Sequence, residues 1–139
     1  MENYLILFIL IPVFGYLLNI FIPRKNEKVI SLIALLSVGL NLCALLFFTI
    51  YWLLNNHPVL DKFQFLLFET DLIKIFIDFY FDKTSAVFGI IGSVILFPVI
   101  IFSKYYLHRE SDYKFFFNSM LLFYIGYNIV VFSGNFETF

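Results

Sequence analysis

Asp82-Lys83-Thr84-Ser85 opens the run of sequence that decides the fold. It leads into an apolar segment ending at Tyr106, a short charged loop over residues 107–114, and a second apolar segment over 115–132. The run leaves through Ser133-Gly134-Asn135. A polar start, about 20 apolar residues, a mixed-charge connection and a second apolar stretch read as two membrane-crossing helices joined by a polar hairpin loop. Composition points the same way. The 139-residue chain is 62% hydrophobic and 14% charged, with a mean hydropathy of +0.93. Soluble domains carry about 25% charged residues, so this chain is too apolar to be one. A net charge of −1 argues against a nucleic-acid partner. The single cysteine, Cys43, has no partner for an internal disulfide and joins no cluster of metal-ligand spacing. No metal and no cofactor are expected.

Upstream, residues 4–22 form a first apolar segment, with Pro12 inside it and Pro23 ending it. A cleaved signal peptide fits this stretch worse. Only Glu2 precedes the apolar run, and no small-residue cleavage site follows. Residues 29–54 form the second segment, with Tyr51 and Trp52 near its end, where amphipathic rings favour the interface. With 84–106 and 115–132, the expected fold class is all-α integral membrane: four transmembrane helices in a single bundle spanning 1–139.

The connection over 55–83 is too long for a tight turn. Phe63-Gln64-Phe65-Leu66-Leu67-Phe68 precedes Glu69-Thr70-Asp71. After it, Ile73, Ile75, Ile77 and Phe79 alternate with Lys74 and Asp78, Phe76 being the exception. A period of two in β-branched and aromatic residues predicts a strand. Two short strands around Glu69-Thr70-Asp71 predict a β-hairpin-like loop on the outer face. The basic residues set the orientation. Arg24, Lys25 and Lys28 sit between the first two segments, and Lys104, Arg109 and Lys114 between the last two, whereas the 55–83 loop is net acidic. The positive-inside rule then puts both short loops in the cytoplasm and both termini outside.

Within the helices the polar content is Asn19, Asn41, Ser93, Asn118, Tyr127, Asn128 and a few hydroxyls. These residues are expected to hydrogen-bond to neighbouring helices or to water at lipid level. No charged side chain lies at depth, and proton carriers inside membranes are usually ionisable. Asp82, Thr84 and Ser85 suit a helix N-terminus, and Asp82 has a second reading as part of a polar network at the outer face. Ser85, Gly89 and Ser93 recur every four residues with Gly92 beside them, a spacing that lets helices approach closely. Pro98 should bend the third helix or loosen one of its backbone bonds. In the cytoplasmic loop, His108 reads as solvated rather than as a sensor or ligand, and Arg109 as a surface partner of Glu110 or Asp112.

Phe81-Asp82-Lys83-Thr84-Ser85, Ser103-Lys104-Tyr105-Tyr106-Leu107, Tyr113 with Phe115-Phe116, Met120 and Ser133-Gly134-Asn135 occur in an order that resembles one family. It is similar to the N-terminal region of antiporter-like subunits: chain 5 (subunit L) of respiratory complex I and its relatives. Those relatives include multisubunit sodium/proton antiporter subunits, membrane-bound hydrogenases and the membrane partner of DAB-type inorganic-carbon systems. The resemblance implies part of a longer helical bundle that moves protons on a glutamate and lysines. It further implies that the family's Gly-Trp-Glu motif would follow Asn135, that this chain stops short of it, and that the chain is an N-terminal fragment or truncated product.

The expected function is the N-terminal portion of a proton-translocating subunit of an NADH:quinone oxidoreductase-type complex in a bacterial inner membrane. Its expected partners are the lipid bilayer and other membrane subunits, with the redox chemistry elsewhere and no catalytic site in this chain. The first alternative is the membrane subunit of an inorganic-carbon transporter. It is favoured by the aromatic loop Lys104-Tyr105-Tyr106-Leu107-His108-Arg109-Glu110 and by Phe136-Glu137-Thr138-Phe139 after the asparagine. The second alternative is a small membrane scaffold without transport.

Overall fold

A computed structural model describes residues 5–55, 60–61, 65–69, 74–77 and 79–134. Four helices account for most of them: α1 (Leu5–Phe21), α2 (Glu27–Leu54), α3 (Lys83–Tyr106) and α4 (Tyr113–Phe132). At 1.5 Å per residue, α2, α3 and α4 run about 42, 36 and 30 Å, enough to cross a hydrocarbon core of about 30 Å. All three are apolar enough to do so. The 17 residues of α1 reach only about 26 Å, so it is the shorter apolar helix beside three candidate spans. The chain is an integral membrane protein, built mostly of helix.

The starts of α2 and α4 lie two residues earlier than the apolar pattern predicts. Polar Glu27-Lys28 extend α2 without adding apolar face, whereas at the start of α4 Tyr113 adds a buried ring packed on Phe117. Helix α1 runs through Pro12 and α3 through Pro98 without a break. At the end of α4 the sequence suggests a glycine exit, yet no described glycine has a positive φ. Ser133 turns extended instead (φ −62°, ψ 126°) and forms an isolated antiparallel bridge with Phe79. The chain leaves α4 by joining the long connection rather than by a left-handed turn.

Helix α1 packs on α2 and α4, and α2 packs on α3 and more lightly on α4. Apolar side chains cover the outside of these helices, as they must where lipid replaces water as solvent. Between such helices close packing and buried polar bonds, not water exclusion, hold the bundle. Two small residues allow the approach. A Cβ on Gly15 would collide with the Ser37 side chain, and one on Gly92 would overlap the Tyr127 ring.

In the long connection, β1 (Leu60–Asp61) pairs antiparallel with β4 (Tyr80–Phe81), and β2 (Phe65–Glu69) pairs antiparallel with β3 (Lys74–Ile77). The β2–β3 register matches Phe65 with Ile77 and Glu69 with Lys74, with an irregularity between Leu66 and Phe68. Thr70, Asp71 and Asp78, which the sequence reading places at the turn and on the polar face, lie outside the described residues. The β1–β4 pair has no counterpart in the sequence reading. With two residues on each side, it carries no periodicity to detect.

Candidate functional site

At one level the bundle interior gathers hydrogen-bonded polar groups from three helices, and at one end it is aromatic. At the polar level, α2 supplies Asn41, α3 supplies Ser93, and α4 supplies Tyr124 and Asn128. All four are buried. The Asn41 amide nitrogen lies 2.8 Å from the Tyr124 hydroxyl, which lies 2.6 Å from the Ser93 hydroxyl. The Ser93 oxygen lies 2.8 Å from the carbonyl of Gly89. Proton counting fixes the direction. The Ser93 hydroxyl donates to Gly89, so Tyr124 donates to Ser93 and accepts from Asn41. One directional chain of hydrogen bonds therefore runs from α2 through α4 into α3. Asn128 donates to its own helix at Tyr124 O (3.0 Å), and Tyr127 donates across to Phe88 O (2.7 Å).

The sequence reading singled out Asn41, Ser93, Tyr127 and Asn128 but passed over Tyr124, whose hydroxyl joins Asn41 to Ser93. Tyr124 looks like one more aromatic in an apolar segment. Its four-residue spacing to Asn128 was the local signal, while its side-chain partners lie on two other helices. Asn19 was expected to bond to a neighbouring helix. It is fully buried, yet neither of its amide atoms has a partner among the described residues. No neighbouring helix therefore supplies the bond at Asn19 among the described residues. The carbonyl oxygen of Asn118 is likewise unpaired.

Chemically, this centre can pin helices. Among the described residues, the buried polar side chains are asparagine, serine and threonine, joined by the Tyr124 hydroxyl, with no carboxylate, lysine, arginine or histidine. The centre holds no carboxylate or amine on which to load a proton. Tyr124→Phe should destabilise the bundle by about 2 kcal/mol, because it leaves the buried Asn41 amide unpaired. Thermal unfolding in detergent should show this, and Asn41→Leu placed on top of Tyr124→Phe should recover much of the loss. Independent, additive losses would mean that the two side chains do not act as a pair.

At the end of the bundle where the long connection meets it, Phe81 is fully buried among Phe48, Trp52 and Phe132. Its ring centroid lies 5.0 Å from Phe48 and 5.4 Å from Trp52, both edge-on, and 6.1 Å from Phe132 in a stacked arrangement. Near the end of α2, Trp52 is only 2% exposed, its indole packed against Phe81, whereas its neighbour Tyr51 points outward. The next residue, Asp82, caps α3. Its carboxylate accepts from the Ser85 backbone N–H at 2.7 Å, with extended backbone at φ −131°. Asp82→Ala should cost about 1 kcal/mol, and Asp82→Asn much less, since asparagine caps nearly as well. Equal melting-temperature losses in the two variants would point to a role for the charge instead.

Along α3, Ser85, Gly89 and Ser93 are buried. Gly89 faces Phe132 and Leu45, so this stripe meets both α4 and α2, and Gly92 lies beneath Tyr127.

At the opposite end, His108 Nδ1 lies 2.7 Å from the Glu27 carboxylate, which also accepts from the Arg109 backbone N–H at 3.3 Å. Arg109 sits at φ 69°, the left-handed region that a non-glycine residue enters at a cost, and the bond to Glu27 helps hold it there. His108 is thus tied to α2 rather than merely solvated. Among the described residues no ion pair joins Arg109 to Glu110 or Asp112. The left-handed backbone directs the loop towards Glu27 instead. Lys114 Nζ donates to the carbonyls of Ile20 (2.8 Å) and Ile22 (2.7 Å), closing the C-terminal end of α1 where the helix dipole favours a cation.

No group of three or more His, Cys, Asp or Glu that could hold a metal occurs among the described residues. A family model described as NADH-Ubiquinone oxidoreductase (complex I), chain 5 N-terminus matches residues 67–117. No curated protein matches the chain. The matched stretch begins in β2, takes in the Phe81 plug, the Asp82 cap and the whole of α3, crosses the His108–Arg109 loop and ends in the second turn of α4. The resemblance to the chain 5 N-terminal region is therefore borne out over these residues, a narrower span than the sequence motifs suggested.

Proposed function

We propose, on the premise that residues 67–117 carry the complex I chain 5 N-terminal pattern, that this chain is the N-terminal portion of a proton-translocating, antiporter-like membrane subunit. Its complex is of the NADH:quinone oxidoreductase type. The observation that carries the reading is that the match takes in plug, cap, packed helix and charged loop in succession. In this reading the chain is scaffold. The bundle core holds hydrogen-bonded amides and hydroxyls where a proton-carrying segment would need ionisable groups, so the carriers belong to other parts of the subunit. NADH and quinone chemistry belongs to other subunits.

The finer features follow the same reading. All four helices cross the membrane, α1 by tilting little or by drawing the bilayer in. Both termini and the paired strands lie outside the cytoplasm, and the membrane is a bacterial inner membrane. Asp82 supports the outer end of α3, and Ser85, Gly89, Gly92 and Ser93 form its packing face.

Affinity purification of the tagged chain from its native membrane in mild detergent tests this. Co-elution with NADH dehydrogenase activity, and loss of NADH-driven proton uptake in vesicles on deletion, is the expected result. Loss of bicarbonate uptake with NADH-driven pumping intact would favour the inorganic-carbon transporter. A defined small oligomer, with both activities intact on deletion, would make the chain a scaffold.

A further inference from the structure

We propose that the groove between the start of α2 and the end of α3 binds the phosphate headgroup of an anionic phospholipid, with its acyl chains laid along the exposed faces of those helices. This goes beyond the transport reading and does not depend on it, needing only that the groove lie at the bilayer surface.

Two recesses adjoin there. One, of about 230 Å³, includes Lys104 and Tyr105. The other, of about 450 Å³, includes Lys25 and Val29. Glu27, Lys28 and His108 line both, which makes them one continuous groove. Lys25, Lys28 and Lys104 supply three positive charges against the single carboxylate of Glu27, leaving +2 with His108 neutral. That carboxylate is already engaged by His108 and by the Arg109 backbone. Among the described residues none of the three lysines has an ion-pair partner. Lys104 stands 5.8 Å over the ring of Tyr105, an aromatic that lies 73% exposed. Unpaired cations gathered at the end of membrane helices call for a counter-anion, and there the commonest is a lipid phosphate.

The surface below the groove fits the rest of such a lipid. Val29 lines the groove, and Leu32, Leu36 and Leu40 continue from it as exposed apolar residues at spacings of three and four, one face of α2 running into the membrane. On α3, Tyr105 is followed inward by exposed Phe102, Ile95 and Ile91. A soluble anion would use the lysines and leave both tracks empty. An anionic phospholipid uses all three features together.

The test is native mass spectrometry of the full chain in mild detergent with equimolar phosphatidylglycerol and phosphatidylcholine. Phosphatidylglycerol should be retained preferentially, and Lys28→Gln with Lys104→Gln should lower that preference by about fivefold per lysine removed. Lys83→Gln, at the far end of α3, should leave it unchanged. If the double variant loses helix content by circular dichroism, Lys25→Gln alone, in the exposed loop, should still show the single-lysine loss. Equal retention of the two lipids by the unmodified chain would overturn the proposal. So would a preference unaltered by the lysine substitutions, or displacement of phosphatidylglycerol by millimolar inorganic phosphate, which would make this a site for free anions.

Discussion

Phe81→Ala should lower the stability of the bundle by about 3 kcal/mol or more, the loss typical of emptying a buried phenylalanine site. The ring is fully buried and meets Phe48 and Trp52 edge-on and Phe132 in a stack. Phe8 stands behind it, 5.4 Å from Phe48 and 5.6 Å from Phe132. Residues from α1, α2 and α4 therefore converge on a side chain carried by the strand that precedes α3. Removing it leaves a cavity that four large rings cannot fill without moving helices. It also releases Trp52, whose emission in detergent should shift to the red as the indole gains access to water or lipid headgroups. Phe81→Leu, which keeps most of the volume, should cost well under half as much. A wild-type melting curve and unchanged Trp52 emission in Phe81→Ala would mean that the plug is not a structural element of the bundle.

Gly15→Val should be comparably damaging, about 3 kcal/mol, through overpacking rather than a cavity. Gly15 is buried where α1 meets α2. A Cβ there would come within 2.6 Å of Ser37 Cβ and 3.9 Å of its Cα. Those atoms are backbone or one bond from it, so the neighbour cannot swing aside. The Ser37 hydroxyl, 3.3 Å from the carbonyl of Ile11, would also lose its cross-helix bond as the helices separate. Gly126 is the natural control, because nothing stands within 4 Å of a Cβ placed there. Gly126→Ala should be neutral or slightly stabilising, since alanine favours helix. Gly92→Ala should fall between the two. Its Cβ would overlap the Tyr127 ring, which can rotate towards lipid if it gives up its bond to Phe88. If Gly15→Val and Gly126→Ala melt alike, the close approach of α1 and α2 is not what holds that pair.

These expectations show where sequence alone stops. The four apolar stretches were legible because lipid imposes a strong rule: every spanning segment must be long, apolar and internally hydrogen-bonded. The Asp82 cap was legible because a carboxylate just before a helix has one dominant local use. Gly15 was not, because a single glycine in an apolar helix becomes informative only when the facing residue is known, and Ser37 lies 22 positions away. Tyr124 was missed for the same reason. Its partners Asn41 and Ser93 are 83 and 31 residues distant. The pairing of His108 with Glu27, 81 residues apart, could not be distinguished from a solvated loop histidine.

By itself the sequence determined that this is a membrane protein of apolar helices, that the connection over 55–83 has strand-like alternation, and that basic residues gather in the two short loops. It also carried the motif order shared with the chain 5 N-terminal region. All of these are properties of composition and local spacing, which solvent and backbone geometry act on directly. Only the tertiary structure decided which polar groups meet. It set a tyrosine between an asparagine and a serine from two other helices, turned Trp52 inward against Phe81, and left three lysines unpaired around one engaged glutamate. In lipid the apolar faces of these helices are nearly interchangeable, so their pairing rests on a few close approaches and buried bonds that no periodicity records.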